Sequence, residues 1–243
     1  TKRIPSSVTS FPDEYVGGAI RLKDNVTVTN CDIYNNVSDE GGAIYANNRN
    51  EDKNISISYC KIHDNYAHDI GGALSIHRDY IWMETPQDSI INCEISNNKS
   101  DRFGGMDISM MRVIGSTVVS NNSEMYSYDT LYSSNRNNEY YNSIIWGNVG
   151  RNYPSQIEGY QNQYTYCAIH GGYAGEGNIN LDKYNSGEDP DANYVNFVNP
   201  ENRAYQPMNN SVVVDEGNNE YAVGDKDLAG KDRFYNSLVD IGA

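Results

Sequence analysis

Several absences narrow the field before any motif is read. No apolar run in the 243 residues approaches the roughly 18 needed to span a bilayer, so direct membrane insertion by a helix is not expected. No secretory leader is recognisable. The chain opens at Thr1-Lys2-Arg3 and stops at Ile241-Gly242-Ala243, which reads as a mature or excised part of a longer protein, so a missing leader excludes nothing. No Cys-x-x-Cys or Cys/His spacing is present, which argues against zinc. Neither an EF-hand nor a nonapeptide calcium repeat occurs, although acidic loops such as Asp39-Glu40, Asp64 and Asp182 to Asp191 offer oxygen ligands of the kind Ca²⁺ takes. Positive charge is scarce: 18 Lys and Arg against 33 Asp and Glu leave a net charge of -15. Such a surface repels nucleic acid and anionic lipid, and it disfavours a polyanionic substrate unless Ca²⁺ or a local basic patch reverses the field.

Apolar residues are also few, 38% of the chain, and the mean hydropathy is -0.70. Disorder would follow if aromatics were missing as well. They are not: 21 Tyr and 21 Gly stand beside abundant Asn and β-branched residues. A thin core under a large polar surface fits that mixture.

The positive signal is an internal repeat. Gly17-Gly18-Ala19-Ile20 recurs as Gly41-Gly42-Ala43-Ile44 and Gly71-Gly72-Ala73-Leu74, with a degenerate copy at Phe103-Gly104-Gly105-Met106. Between these copies lies a β-rich run, one turn-type residue, Cys-x-Ile and an Asn-rich end. Examples are Val26 to Thr29 with Asn30-Cys31-Asp32-Ile33, Ile55 to Ser58 with Tyr59-Cys60-Lys61-Ile62, and Ser89-Ile90-Ile91 with Asn92-Cys93-Glu94-Ile95. Weaker copies place Ser116, Ser143 and Cys167 at the Cys position, so that residues 31, 60, 93, 116, 143 and 167 are separated by 29, 33, 23, 27 and 24 residues. A fixed internal pattern with a variable period predicts a solenoid whose extra residues lie in loops.

Val26 and Val28 share one parity, but Cys31 and Ile33 have the other. One residue must therefore turn the chain while both flanking strands keep their apolar side chains inward. Left-handed backbone suits such a bend, and Asn and Gly adopt it most cheaply. The corner column Asn30, Tyr59, Asn92, Gly115, Asn142 and Tyr166 meets that demand at four positions; its two Tyr do not follow from it. The pattern predicts three short strands per coil, coils stacked in parallel about 4.8 Å apart, and Asn ladders after the third strand. The expected fold is all-β, a right-handed single-stranded parallel β-helix of about six to seven coils over residues 1–177. Residues 178–243 are expected to form a last irregular coil and a cap over the open edge.

These motifs resemble the right-handed β-helix repeat proteins of bacterial surfaces. The Gly-Gly-Ala-Ile copies are similar to the repeats of polymorphic outer-membrane proteins. Asn142-Ser143-Ile144-Ile145-Trp146-Gly147-Asn148, Gly171-Gly172-Tyr173 and Val239-Asp240-Ile241-Gly242-Ala243 resemble a variety frequent in Bacteroidetes. The resemblance implies a secreted or cell-surface habitat. It leaves function open, because this architecture hosts adhesins, carbohydrate-active enzymes and structural stalks.

Candidate chemistry lies on the first-strand face. If Ile20, Ile44, Leu74 and Met106 point inward, then Arg21, Tyr45, Ser75 and Asp107 point outward, followed by Lys23, Asn47, His77 and Ser109. Asp107 near His77, Arg78 and Asp79 is the one grouping that supplies an acid, a base and a cation; the plain alternative is a solvated sheet surface. Tyr126, Tyr128 and Tyr132, with Tyr140, Tyr141, Tyr160, Tyr164 and Tyr166 beyond, either stack on sugars and anchor partners or pack under loops. His63, His68 and His170 read as surface residues. The inward Cys column reads as free thiols in the core, because in-register neighbours present their sulfurs side by side rather than face to face.

The expected function is a non-catalytic module for adhesion or carbohydrate recognition, with ligand contacts at Tyr45, Asn47, His77, Asp107, Tyr126, Tyr128 and Tyr132. The partner would be a glycan or a surface protein, the chain a monomer in isolation, and no cofactor is expected, Ca²⁺ in the acidic loops being the one candidate. A polysaccharide lyase or glycoside hydrolase acting through His77, Arg78, Asp79 and Asp107 is the alternative, with a groove over Asp107 walled by residues 48–54 and 78–88. A structural stalk is the third.

Overall fold

A computed structural model describes residues 16–23, 25–48, 54–78, 85–124, 131–132, 137–150, 161–181, 195–234 and 237–243. The first coil contains β1 (Ile20–Leu22), β2 (Val26–Thr29), β3 (Asp32–Tyr34) and β4 (Val37–Glu40). The second contains β5 (Ile44–Asn48), β6 (Ile55–Ser58), β7 (Lys61–His63) and β8 (Tyr66–Ile70). The third contains β9 (Leu74–Arg78), β10 (Asp88–Ile91), β11 (Glu94–Ser96) and β12 (Lys99–Arg102). Then come β13 (Met106–Ile108), β14 (Met111–Ile114), β15 (Thr117–Val119) and β16 (Asn122–Ser123), followed by β17 (Leu131–Tyr132), β18 (Glu139–Tyr141), β19 (Ile144–Trp146) and β20 (Val149–Gly150). The last rungs are β21 (Gln163–Thr165), β22 (Ala168–His170) and β23 (Ile179–Leu181).

Strands of equal place in successive coils pair in parallel, giving four sheets of five, six, seven and five strands. The molecule is a parallel β-helix, and its crossovers are of the kind that is right-handed in nearly all parallel sheets. The expected six to seven levels are reached only in the second and third sheets; among the described residues five coils run through all four.

Each coil carries four strands, not the expected three. The Asn-rich stretch after the third strand is a second corner rather than an end. Asn35, Asp64, Asn97, Ser120 and Gly147 all have φ between 55° and 63° there, and the chain continues into the fourth sheet. The first corner matches its expectation: Asn30, Tyr59, Asn92, Gly115, Asn142 and Tyr166 have φ between 47° and 55°. At the Gly-Gly motif the two glycines do different work. Gly41 and Gly71 turn the chain with positive φ, while a Cβ on Gly72 would meet the Gly104 carbonyl oxygen of the next coil at 2.2 Å.

Polar ladders hold the coils in register. The Oδ1 atoms of Asn65, Asn98, Asn121 and Asn148 accept the backbone N–H of Asn36, Asn65, Asn98 and Asn121 at 3.0–3.1 Å. The same oxygens accept the side-chain amides at 2.9–3.0 Å. In the Cys column Cys60 N–H donates to Cys93 Sγ, Cys93 N–H to Ser116 Oγ, Ser116 N–H to Ser143 Oγ and Cys167 N–H to Asn178 Oδ1. The column selects small side chains that accept a hydrogen bond, which is why Ser and Asn can replace Cys. The four thiols are free. Burial pushes the Cys167 thiol up to about 12 and raises Cys93 as well.

The core is a file of aliphatic side chains from the four sheets, among them Ile57, Ile62, Leu74, Ile90, Ile95, Met106, Val113 and Val118. Tyr140 and Tyr164 belong to it: both are buried and their rings stack at 4.7 Å, so this part of the Tyr-rich flank packs inward instead of facing a ligand.

The described residues of 195–234 and 237–243 pack along the flank of the solenoid. A short antiparallel pair, β24 (Phe197–Asn199) and β25 (Ala204–Pro207), opens this segment. Phe197, Tyr205, Val213 and Ile241 form a second core with Val119, Ile144, Ala168 and Leu181 on the outer face of the third sheet. Polar clasps reach the first corner. Asn92 and Asn142 donate to the carbonyls of Val223 and Asn218 at 2.8 and 2.9 Å, and Arg233 donates to Asn92. The two corner Tyr gain a reason here. A Cβ on Gly224 would lie 2.0 Å from the Tyr59 hydroxyl, and one on Gly177 would enter the Tyr166 ring, so both rings are posts against which neighbouring backbone is fitted. Among the described residues no helix is long and apolar enough to cross a membrane.

Candidate functional site

The first sheet places the expected residues as parity demands. Arg21, Tyr45, Ser75, Asp107 and Tyr132 are register partners, and Asn47 pairs with His77. His77 Nε2 lies 3.1 Å from Asp107 Oδ2 and 3.2 Å from Ser75 Oγ. A Ser-His-Asp relay needs its two partners on opposite ring nitrogens. Here both meet Nε2, so that relay is not assembled. The face is not a plain solvated sheet surface: Ser75, Ser109 and Asp107 are buried, Asp107 with 1% exposure. Tyr45 is half-buried and carries the Arg21 guanidinium 5.7 Å from its ring centroid, a cation–π geometry. Asn47 is exposed. Asp79, Tyr126 and Tyr128 lie outside the described residues, as does the side chain of Tyr132.

Arg78 does not join this group. It has the parity of Leu74 and Ile76, so it turns into the solenoid, where its Nε and Nη2 donate to Asp88 at 2.8 and 2.9 Å. Both side chains are fully buried. Asn54 accepts a further bond from Nη2, and Asp88 also accepts the Ile55 N–H at 2.7 Å. The expected cation is thus a structural brace between the first and second sheets.

The fourth sheet supplies its replacement. At the corner where that sheet turns into the first, Glu40 ends β4, Asp69 lies in β8 and Arg102 ends β12. Arg102 Nε donates to Asp69 Oδ1 at 2.6 Å. Burial pushes the Glu40 carboxyl up; Asp69 and Asp107 add to the rise, and His77 and Arg102 oppose it. Glu40 therefore feels charges carried by both sheets. Sequence reasoning considered Glu40 only as a loop oxygen ligand for Ca²⁺ and missed Asp69 and Arg102. The signal was present, since three of the four Gly-Gly copies follow a charged pair with at most one residue between: Asp39-Glu40, His68-Asp69 and Asp101-Arg102.

The outer face of the fourth sheet extends the acidic run. Tyr66 donates to Asp101 at 3.2 Å and packs edge-on to His68. Asp39 is 7% exposed, and both its oxygens are buried without a hydrogen-bond partner. Burial raises Asp39 and Asp101, with Asp69 adding to both and His68 opposing. Among the described residues no three acidic, His or Cys side chains converge to hold a metal ion.

The other histidines are not plain surface residues. His63 lies between Asp32 and Asp64, at 2.9 and 2.7 Å, under the exposed Tyr34 ring, and His170 sits against Trp146. A cavity of about 1160 Å³ lies elsewhere, lined by residues from Val198 to Ala243. It contains none of the corner residues.

A scan of protein-family models, a search of curated proteins and a search of solved structures each find no match. The corner must be interpreted from its own chemistry.

Proposed function

We propose that this chain is a secreted or surface-displayed β-helix module that recognises a carbohydrate at the corner between its fourth and first sheets. The observation that carries this reading is the company kept by Tyr45. An aromatic ring, Asn47, His77, Glu40 and the Asp69–Arg102 pair all stand on strands of two rigid sheets that meet at one edge. Sugars are bound by such mixtures, with planar polar groups for the hydroxyls and a ring for the apolar face. Strand-borne side chains lose little freedom on binding.

A second reading rests on Glu40. A half-buried carboxyl pushed up beside the His77–Asp107 pair has the environment of a general acid in glycoside hydrolysis. A glycan array combined with a product-release assay separates the two. Saturable binding without product, lost in Tyr45→Ala and in His77→Ala, is expected. Product release that disappears in Glu40→Gln would replace recognition with catalysis.

A further inference from the structure

The corner is crowded with negative charge beyond what hydrogen bonding to a neutral sugar requires. Asp39, Glu40, Asp69, Asp101 and Asp107 gather there around Arg102 and the imidazoles of His68 and His77. Arg102 is held by Asp69, and Asp101 accepts the Tyr66 hydroxyl. Asp39 is the decisive member. It stands in the outward column of the fourth sheet beside His68 and Asp69, more than nine-tenths buried, and neither oxygen meets a donor. A carboxylate is an acceptor only, and a buried one without a donor is costly; His68 offsets part of that cost at Asp39. Five carboxyl groups thus share one guanidinium and two imidazoles, so acceptors outnumber the donors that can carry positive charge.

Building on the carbohydrate reading, we infer that the ligand brings such donors itself, as the protonated amine of an amino-sugar residue. An ammonium group carries three N–H donors. It needs one or two carboxylates at the rim, with the rest supplying field from behind. A divalent metal asks for three or more converging ligands, which the described residues do not bring together. Asp69, partly exposed and already turned toward Arg102, is the rim carboxylate, and Glu40 flanks it. Asp39, more deeply buried than either, acts through its charge, so it positions the field and does not touch the sugar. The net charge of -15 favours a cationic glycan over the polyanionic ones.

The test is calorimetric titration of the full chain at about pH 6, where an alkyl amine is charged. The probes are a fully deacetylated glucosamine hexamer, its fully N-acetylated counterpart and CaCl₂ alone. The expected result is about tenfold tighter binding of the deacetylated hexamer, weakening as salt is raised and lost in Asp69→Asn. Asp39→Asn should weaken the same ligand about threefold while leaving the acetylated one unchanged and raising the melting temperature, a combination that a merely misfolded variant would not give. Equal or tighter binding of the acetylated hexamer would overturn the inference and leave carbohydrate recognition standing. Binding of neither hexamer, with the glycan array also silent, would overturn both. Calcium binding that Asp39→Asn and Asp69→Asn abolish, with no sugar preference, would replace the amine with a metal ion.

Discussion

Two adjacent residues of β9 have opposite fates. Arg78 turns inward and is locked by Asp88, Asn54 and the neighbouring coil into a buried brace with every partner in place. His77 turns outward into a corner where carboxyl groups outnumber donors and Asp39 has none. Charge inside the solenoid is balanced to hold two sheets together, and charge at the outer corner is left in surplus. Excess unsatisfied charge on a rigid scaffold points to a ligand; balanced buried charge points to architecture.

The largest test of this contrast removes the brace. Arg78→Ala leaves Asp88 charged and unpaired in the core and is expected to lower stability by about 3–5 kcal/mol in urea unfolding. Arg78→Met combined with Asp88→Asn should recover most of that loss. The amide keeps an acceptor for the Ile55 N–H, as Asn138 does for Met111 one column-mate further on. Next in size, Asn98→Ala strips the acceptor from both the backbone and the side chain of Asn65 and should cost about 3 kcal/mol. The outer corner should behave in the opposite way. Asp69→Asn breaks only a partly exposed pair and is expected to change stability by less than about 1 kcal/mol while lowering ligand affinity about tenfold.

The smallest effect is on pH dependence. Asp39, Glu40, Glu94, Asp101 and Asp240 all have carboxyls raised by burial in the folded chain. The folded state therefore holds protons that the unfolded state has released, and stability rises as pH falls through the folded values toward the ordinary carboxylate range. Calorimetric melting should show a modest gain as pH is lowered toward the ordinary carboxylate range. Asp39→Asn and Glu40→Gln together should remove part of it.

The solenoid was legible because its constraints repeat. The slip in parity at Asn30 and the column from Cys31 to Cys167 each follow from keeping apolar side chains inward, and the first corner and the register match. The fourth strand was not legible. Val37 to Glu40 and Lys99 to Arg102 are polar, and in β8 a bulge shifts the register between Ala67 and Ile70, so period-two alternation is broken there. That concealed Glu40, Asp69 and Arg102, half of the corner. Arg78 was misplaced by proximity in sequence, although its parity with Leu74 and Ile76 already pointed inward. The path of residues 195–243 could not be read at all, because it depends on clasps such as Arg233 to Asn92 that no repeat announces.

The central claim is that ligand binds at the corner of the fourth and first sheets. Mapping amide chemical-shift changes while titrating the best-binding oligosaccharide tests it directly. Shifts concentrated at Glu40, Tyr45, Asn47, Asp69 and His77, with the flank silent, are the predicted result. Shifts confined to the cavity between Val198 and Ala243 would contradict it.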